Sequence, residues 1–195
     1  MKPDFLISYN KALAPEGTLS NNPSDKGGLT YKGISRVKHS SWPGWIIIDE
    51  LLASSSCKSN HDILEDSSLL QNLVTIFYHE EFWITIRGDQ LPSQTIADEL
   101  FESSINLGVQ AAAENLQRAI NLLNRNNRLY PDIAVDGILG SQTLATLNKC
   151  ISVNGEKLIY NLLNFYQAKH YIEIMERDHT QEIFIGWFNR IELIK

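Results

Sequence analysis

The chain has 195 residues, 43% hydrophobic and 21% charged, with 17 Lys+Arg against 23 Asp+Glu for a net charge of −6 and a pI near 5.3. That length predicts one compact domain or two small ones with a sizeable core, and the composition excludes disordered, collagen-like and low-complexity classes. The acidic balance weighs against a non-specific nucleic-acid binder, which needs a basic face, and gives no general attraction to anionic membranes or polymers.

The opening residues Met1-Lys2-Pro3-Asp4-Phe5 form no apolar run and precede no small-residue cleavage site, so no signal peptide is expected. Apolar runs such as Trp45 to Ile48 are too short for stable membrane insertion. The expectation is a protein made in the cytoplasm that reaches any outside target by another carrier.

Leu6, Tyr9 and Leu13 have helical spacing, and Pro15 predicts that this first helix ends at Ala14. Residues 16–41 are dense in turn formers, among them Gly17, Asn21, Asn22, Pro23, Asp25, Gly27, Gly28 and Gly33. Broken by short stretches such as Leu29-Thr30-Tyr31, they predict a small β-hairpin between about residues 17 and 40. Ser54 to Asn60 reads as a polar loop.

Beyond it the pattern is helical. Asp66 or Ser67 can cap a helix carrying Leu70, Leu73, Val74 and Phe77 toward Trp83. Ser93 opens a second with Ile96, Leu100, Phe101 and Ile105, closed by Gly108. A third carries Ala112, Leu116, Ala119, Ile120 and Leu123. Asp136-Gly137 marks a turn, and Ser141 caps a short helix with Leu144 and Leu147. Asn154 starts a long helix through Leu158, Leu162, Phe165, Lys169 and Ile172, and a last one runs through Ile183, Trp187, Phe188 and Ile191. The fold expected is mostly α, with one small β element near the N-terminus.

The densest chemistry lies in the hairpin region. Glu16 follows the first helix, whose C-terminal dipole and unpaired carbonyls disfavour a carboxylate and raise its pKa. That suits a general acid. Asp25 comes nine residues later and Thr30 five after that, on either side of Gly27-Gly28. One acid with a base, or with a pair that positions water, is the requirement of glycoside hydrolysis. By spacing alone, Asp25 serves equally well as a turn former and Glu16 as an exposed carboxylate. Tyr31, Trp83 and Trp187 have aromatic faces that suit a pyranose, although Trp187 has the spacing of a core residue and Trp83 follows the amphipathic stripe of its helix, which favours the core over a groove. Asn106 either caps its helix or reaches a substrate, and Arg190 reads as an ion-pair or carbonyl partner.

Cys57 and Cys150 stand far apart with no second pair, which leaves one disulfide open and favours two reduced thiols with at least one buried. The histidines, at positions 39, 61, 79, 170 and 179, show no metal-ligand spacing, so neither a metal nor another cofactor is expected.

The stretch from Glu16 to Ser35 resembles the signature of glycoside hydrolase family 108, N-acetylmuramidases of lysozyme-like fold, some called secretion activator proteins. That family opens with His-Glu-Gly-Gly-Tyr and continues with Asn-Asp-Pro-x-Asp-x-Gly-Gly-x-Thr and Gly-Ile-Ser. Glu16, Gly17, Asn21, Pro23, Asp25, Gly27, Gly28, Thr30, Gly33, Ile34 and Ser35 match. Pro15, Thr18 and Leu19 depart from it, standing where the family has His, Gly and Tyr.

The resemblance continues through Phe82-Trp83 with Gly88-Asp89-Gln90-Leu91-Pro92, and through Phe101-Glu102 with Asn106-Leu107-Gly108. Farther on, Val135-Asp136-Gly137-Ile138-Leu139-Gly140 with Thr143-Leu144 resembles the C-terminal peptidoglycan-binding region, and Gly186-Trp187-Phe188-Asn189-Arg190 the family's ending.

The resemblance implies a lysozyme-like helical domain with a small N-terminal hairpin. Residues 1–92 would form the catalytic region and 93–195 a helical peptidoglycan-binding region packed with it. It implies Glu16, Asp25 and Thr30 as catalytic residues and the peptidoglycan glycan strand as partner; with the residue readings above, Tyr31, Trp83 and Asn106 are the expected substrate-binding residues, and the wall would be reached through a holin or secretion system. A non-catalytic wall-binding or secretion accessory protein, and a lytic transglycosylase, are the competing readings.

Overall fold

A computed structural model describes residues 2–13, 19–21, 28–54 and 59–194. Glu16, Asp25, Pro15, Thr18 and Cys57 lie outside the described residues. The chain divides into two compact units, residues 9–80, and residues 1–8 with 81–195. This is a different division from the 92/93 boundary read from the sequence.

In the unit of residues 9–80, the expected hairpin is a three-stranded antiparallel sheet in the order β1 (Leu19–Asn21), β2 (Leu29–Tyr31), β3 (Ile34–Ser35). The register pairs Leu19 with Tyr31, Ser20 with Thr30 and Asn21 with Leu29, then Thr30 with Ser35 and Tyr31 with Ile34. The third strand arises because Lys32 (φ 44°) and Gly33 (φ 81°) both take left-handed conformations, the requirement of a tight two-residue turn. Leu19, one of the family departures, stands in β1.

Two helices here were not foreseen. α2 (Gly44–Ser54) grows from the apolar run Trp45 to Ile48, and α3 (Asn60–Glu65) begins at the last residue read as loop and continues through residues to which no element was assigned. Ser59 caps α3 by accepting from the Asp62 N–H, and Ser67 caps α4 (Ser68–Tyr78) by accepting from the Leu70 N–H. Buried Tyr31, Ile34, Trp42, Trp45, Ile48, Leu64, Leu70, Val74, Phe77 and Tyr78 make the core of this unit.

The other unit is helical. It includes the start of α1 (Phe5–Ala12), which is shorter than the helix to Ala14 that was expected. A π-helical turn (His79–Trp83) follows α4 in the chain, and α5 (Gln94–Leu107) comes next with Ser93 as its cap. Gly108 (φ 91°) separates α5 from α6 (Val109–Leu122), and Gly155 (φ 82°) separates α7 (Ser141–Asn154) from α8 (Glu156–Arg177). Ser141 is the first residue of α7 rather than its cap, which is Gly140, and Asn154 ends α7 instead of starting α8. α5, α6 and α8 pack mutually, with α7 against α6 and α8. Ile96, Leu100, Phe101, Leu116, Ile120, Leu147, Ile159 and Leu163 fill the centre.

Three further expectations need correction in this unit. The last segment, His179–Arg190, is 3-10 helix broken at Phe184, so Trp187 is half-buried rather than core. Its ring stacks on Phe184 at 5.1 Å and meets Tyr171 at 5.3 Å. In α8 the core face is Ile159, Tyr160, Leu163, Asn164, Gln167 and Tyr171, not the stripe that the spacing picked out. Both stripes have helical period, and periodicity alone does not say which is covered.

Asparagine side chains pin the irregular segments by pairing with backbone. Asn121 accepts from the Ile133 N–H at 3.0 Å and donates to its carbonyl at 2.8 Å, and Asn161 does the same for Ile194 at 2.9 and 3.1 Å. Cys150 is a buried free thiol, and desolvation pushes its pKa up.

Candidate active site

Thr30 sits in the central strand β2, paired with Ser20 on one side and Ser35 on the other. Its Oγ1 donates to the Gly28 carbonyl at 3.2 Å, two residues back in the chain. Gly28 has φ 62°, a conformation that favours glycine at the entry to β2.

The next residues lock this sheet to the helices. The Lys32 ammonium donates to Glu65 at 2.8 Å and to Gln71 at 2.7 Å. Gln71 in turn donates to the Tyr31 hydroxyl at 3.0 Å and to the Leu64 carbonyl at 2.8 Å. The Tyr78 hydroxyl donates to the Lys32 carbonyl at 2.6 Å. A Cβ on Gly33 would stand 2.5 Å from that same hydroxyl, so glycine is needed for space as well as for its positive φ. Gln71 and Glu65 were missed from the sequence, since a glutamine or glutamate on a helix carries no signal of a remote partner.

Tyr31 is the first correction to the site. It is fully buried, stacked near Trp42 at 6.4 Å, and desolvation pushes its pKa up to about 12. A ring with no exposed face supports the sheet and cannot stack on a sugar. Arg36 lies 5.3 Å over the Trp45 ring and grips Asp49 through two bonds of 2.7 and 2.6 Å. Those bonds hold the Asp49 carboxyl below its ordinary pKa.

In the other unit, Trp83 is the second correction. It is 1% exposed, between Phe5 at 5.7 Å and Phe101 at 5.9 Å, and its indole N–H donates to Asp89 at 2.9 Å. A Cβ on Gly88 would come within 2.2–2.6 Å of its ring. The Trp83…Gly88-Asp89 motif is therefore a packing device: glycine makes room for the indole and aspartate satisfies its buried N–H. Asn106 is half-buried in the last turn of α5, and Arg190 stands 3.9 Å from Glu102, the ion pair expected of it.

The Asp136–Thr143 motif is organised by Gln117, a fully buried residue of α6 that sequence reading passed over. Gln117 donates to the Asp136 carboxylate at 2.7 Å and to the Ile138 carbonyl at 3.0 Å, and accepts from the Asp136 and Gly137 N–H groups at 3.0 Å each. The Gln117 amide and the Ile138 N–H hold the Asp136 carboxyl below its ordinary pKa. Arg87, itself left-handed at φ 54°, reaches the Leu139 carbonyl at 3.3 Å. Among the described residues no cluster of His, Cys, Asp and Glu could hold a metal ion, and no helix is long and apolar enough to cross a membrane.

A small antiparallel sheet beside capped helices, followed by a helical unit, defines a mostly α, lysozyme-like protein. The family model described as "Glycosyl hydrolase 108" matches residues 9–108, and the chain belongs to that family. A second model, "Predicted Peptidoglycan domain", matches residues 111–192, and together they make the chain a glycoside hydrolase of peptidoglycan. Among solved structures, Brucella abortus SagA is similar at a TM-score of 0.65 and 21% identity, covering 96% of this chain and 88% of that one. At that identity the likeness is one of fold. No curated protein matches the chain.

Proposed function

We propose that the chain is an N-acetylmuramidase, cleaving the β-1,4 bond between N-acetylmuramic acid and N-acetylglucosamine. Glu16 protonates the leaving oxygen, and Asp25 with Thr30 holds the attacking water or stabilises the oxocarbenium-like charge. The observation that carries this reading is the family match over residues 9–108, which spans all three residues. The sheet supports it locally. Its antiparallel register holds β1 against β2, Glu16 lies three residues before the first of these strands, Asp25 lies between them, and Thr30 is in the second.

Asn106 is kept as a substrate contact because its partly exposed side chain lies in the last turn of α5, two residues before Gly108. Tyr31 and Trp83 are not. The 111–192 region holds the polymer, and the enzyme reaches the wall through a holin or secretion system.

The test is lysis of purified walls by wild type and Glu16→Gln, with mass spectrometry of the products. General acid catalysis supplies about 10²–10⁴-fold, so the variant should lose at least that factor while retaining its fold. Wild-type lysis by Glu16→Gln refutes the acid assignment. Products ending in 1,6-anhydro sugars identify a transglycosylase, and wall binding without lysis by wild type identifies an accessory protein.

A further inference from the structure

Tyr78 is the last residue of α4, 2% exposed, and it touches two other segments of its unit at once. Its ring meets the Tyr9 ring of α1 at 5.9 Å, inclined at 64°, and its hydroxyl donates to the Lys32 carbonyl at 2.6 Å. Tyr9 has a second hold on α4, a hydrogen bond between its hydroxyl and that of Thr75, one turn before Tyr78.

Both segments lead to residues assigned to the reaction. Glu16 follows the end of α1 by four residues, and Lys32 follows Thr30 by two. Lys32 is a non-glycine residue at φ 44°, a left-handed conformation that persists where the surroundings impose it. Its ammonium is held by Glu65 of α3 and Gln71 of α4, and its carbonyl by Tyr78. The turn that ends β2 is therefore set from α4, and so is the helix that runs toward Glu16.

We infer, on the reading of Glu16 as the acid and Thr30 as part of its partner group, that Tyr78 is a positioning residue. By packing on Tyr9 and bonding the Lys32 carbonyl, it keeps the helix that leads to Glu16 in register with the strand that carries Thr30. Being buried, it acts through these two segments and not on the sugar. A misplacement of about 1 Å between reacting groups can cost about 100-fold in rate, so one lost anchor is enough to be read in kcat.

Steady-state kinetics on soluble peptidoglycan strands test this, with circular dichroism as the control for folding. Tyr78→Phe keeps the ring against Tyr9 and removes only the hydroxyl. Its kcat should fall about 5- to 20-fold with KM within about twofold, because alignment is lost and binding is not. Tyr9→Phe, which gives up the bond to Thr75, should lower kcat in the same way by about 2- to 5-fold. Ile48→Val, a truncation in the core of the same unit with a comparable loss of stability, should leave kcat within about twofold. In a Thr30→Ala background Tyr78→Phe should cost less than it does in wild type, since placing the Thr30 hydroxyl no longer matters.

Wild-type kcat in either tyrosine variant, an equal loss in Ile48→Val, or strict independence from Thr30→Ala overturns the positioning role. Cleavage by wild type and its loss in Glu16→Gln would still leave the muramidase reading standing. A wild type that does not cleave, or a fully active Glu16→Gln, overturns that reading and the positioning role with it.

Discussion

Replacing Gln117 by Met keeps the length and nearly the volume of the side chain while deleting every hydrogen bond it makes to residues 136–138. In the folded protein that side chain is fully buried and bonds two backbone N–H groups, one carbonyl and the Asp136 carboxylate, all within 3.0 Å. Asp136 and Ile138 are exposed, so part of what is lost returns as bonds to water. Counting about 1 kcal/mol for each backbone bond that is not recovered, and nothing for the exposed carboxylate, the cost is about 2–3 kcal/mol. In a protein of this size each kcal/mol moves Tm by about 2–4 °C, so thermal unfolding followed at 222 nm should fall by about 4–12 °C.

Gln117→Glu separates bonding from packing. The carboxylate still accepts from the Asp136 and Gly137 N–H groups but faces the Asp136 carboxylate without a donor. In wild type the Asp136 pKa is lowered on folding, so its contribution is present above the ordinary value and is lost as pH falls through the folded one. In Gln117→Glu two carboxylates share the site and one pKa rises, so the deficit relative to wild type should be largest at neutral pH and shrink as pH falls toward 4. If Gln117→Met unfolds within about 1 °C of wild type, or the Gln117→Glu deficit does not change with pH, the account of this turn is wrong.

Gly33→Ala should cost about 2–3 kcal/mol in urea unfolding, from its positive φ and from displacing the Tyr78 hydroxyl. In a Tyr78→Phe background the same substitution should cost less, and strict additivity would refute the clash. Of seven tyrosines, burial raises the pKa of Tyr9, Tyr31, Tyr130, Tyr160 and Tyr171, with Tyr31 and Tyr160 near 12. These groups keep their protons longer folded than unfolded, so their stabilisation is complete below about pH 10 and is lost as pH rises toward 12. Absorbance titration at 295 nm should show most of the phenolate signal appearing above pH 10, and ordinary titration of all seven would contradict the packing described here.

The Glu16–Ser35 signature, the caps Ser67 and Ser93 and the break at Gly108 are legible in the residues alone, because each is a local event. A cap needs a hydroxyl three residues before an amide, and a break needs a residue that tolerates positive φ. The family, the mostly α class and the placement of Thr30 beside a glycine turn follow from such local chemistry. Which of two periodic faces is buried does not, because Leu158–Phe165–Ile172 and Ile159–Leu163–Tyr171 differ in what packs against them rather than in composition. For the same reason Tyr31 and Trp83 looked like sugar platforms. An aromatic ring serves a groove or a core equally well, and its role depended on neighbours distant in sequence: Trp42 and Gln71 for Tyr31, Phe5 and Phe101 for Trp83. Gln117 shows the limit most plainly. Nothing near it in the chain marks it, and only the fold brings its amide to a turn that begins nineteen residues later.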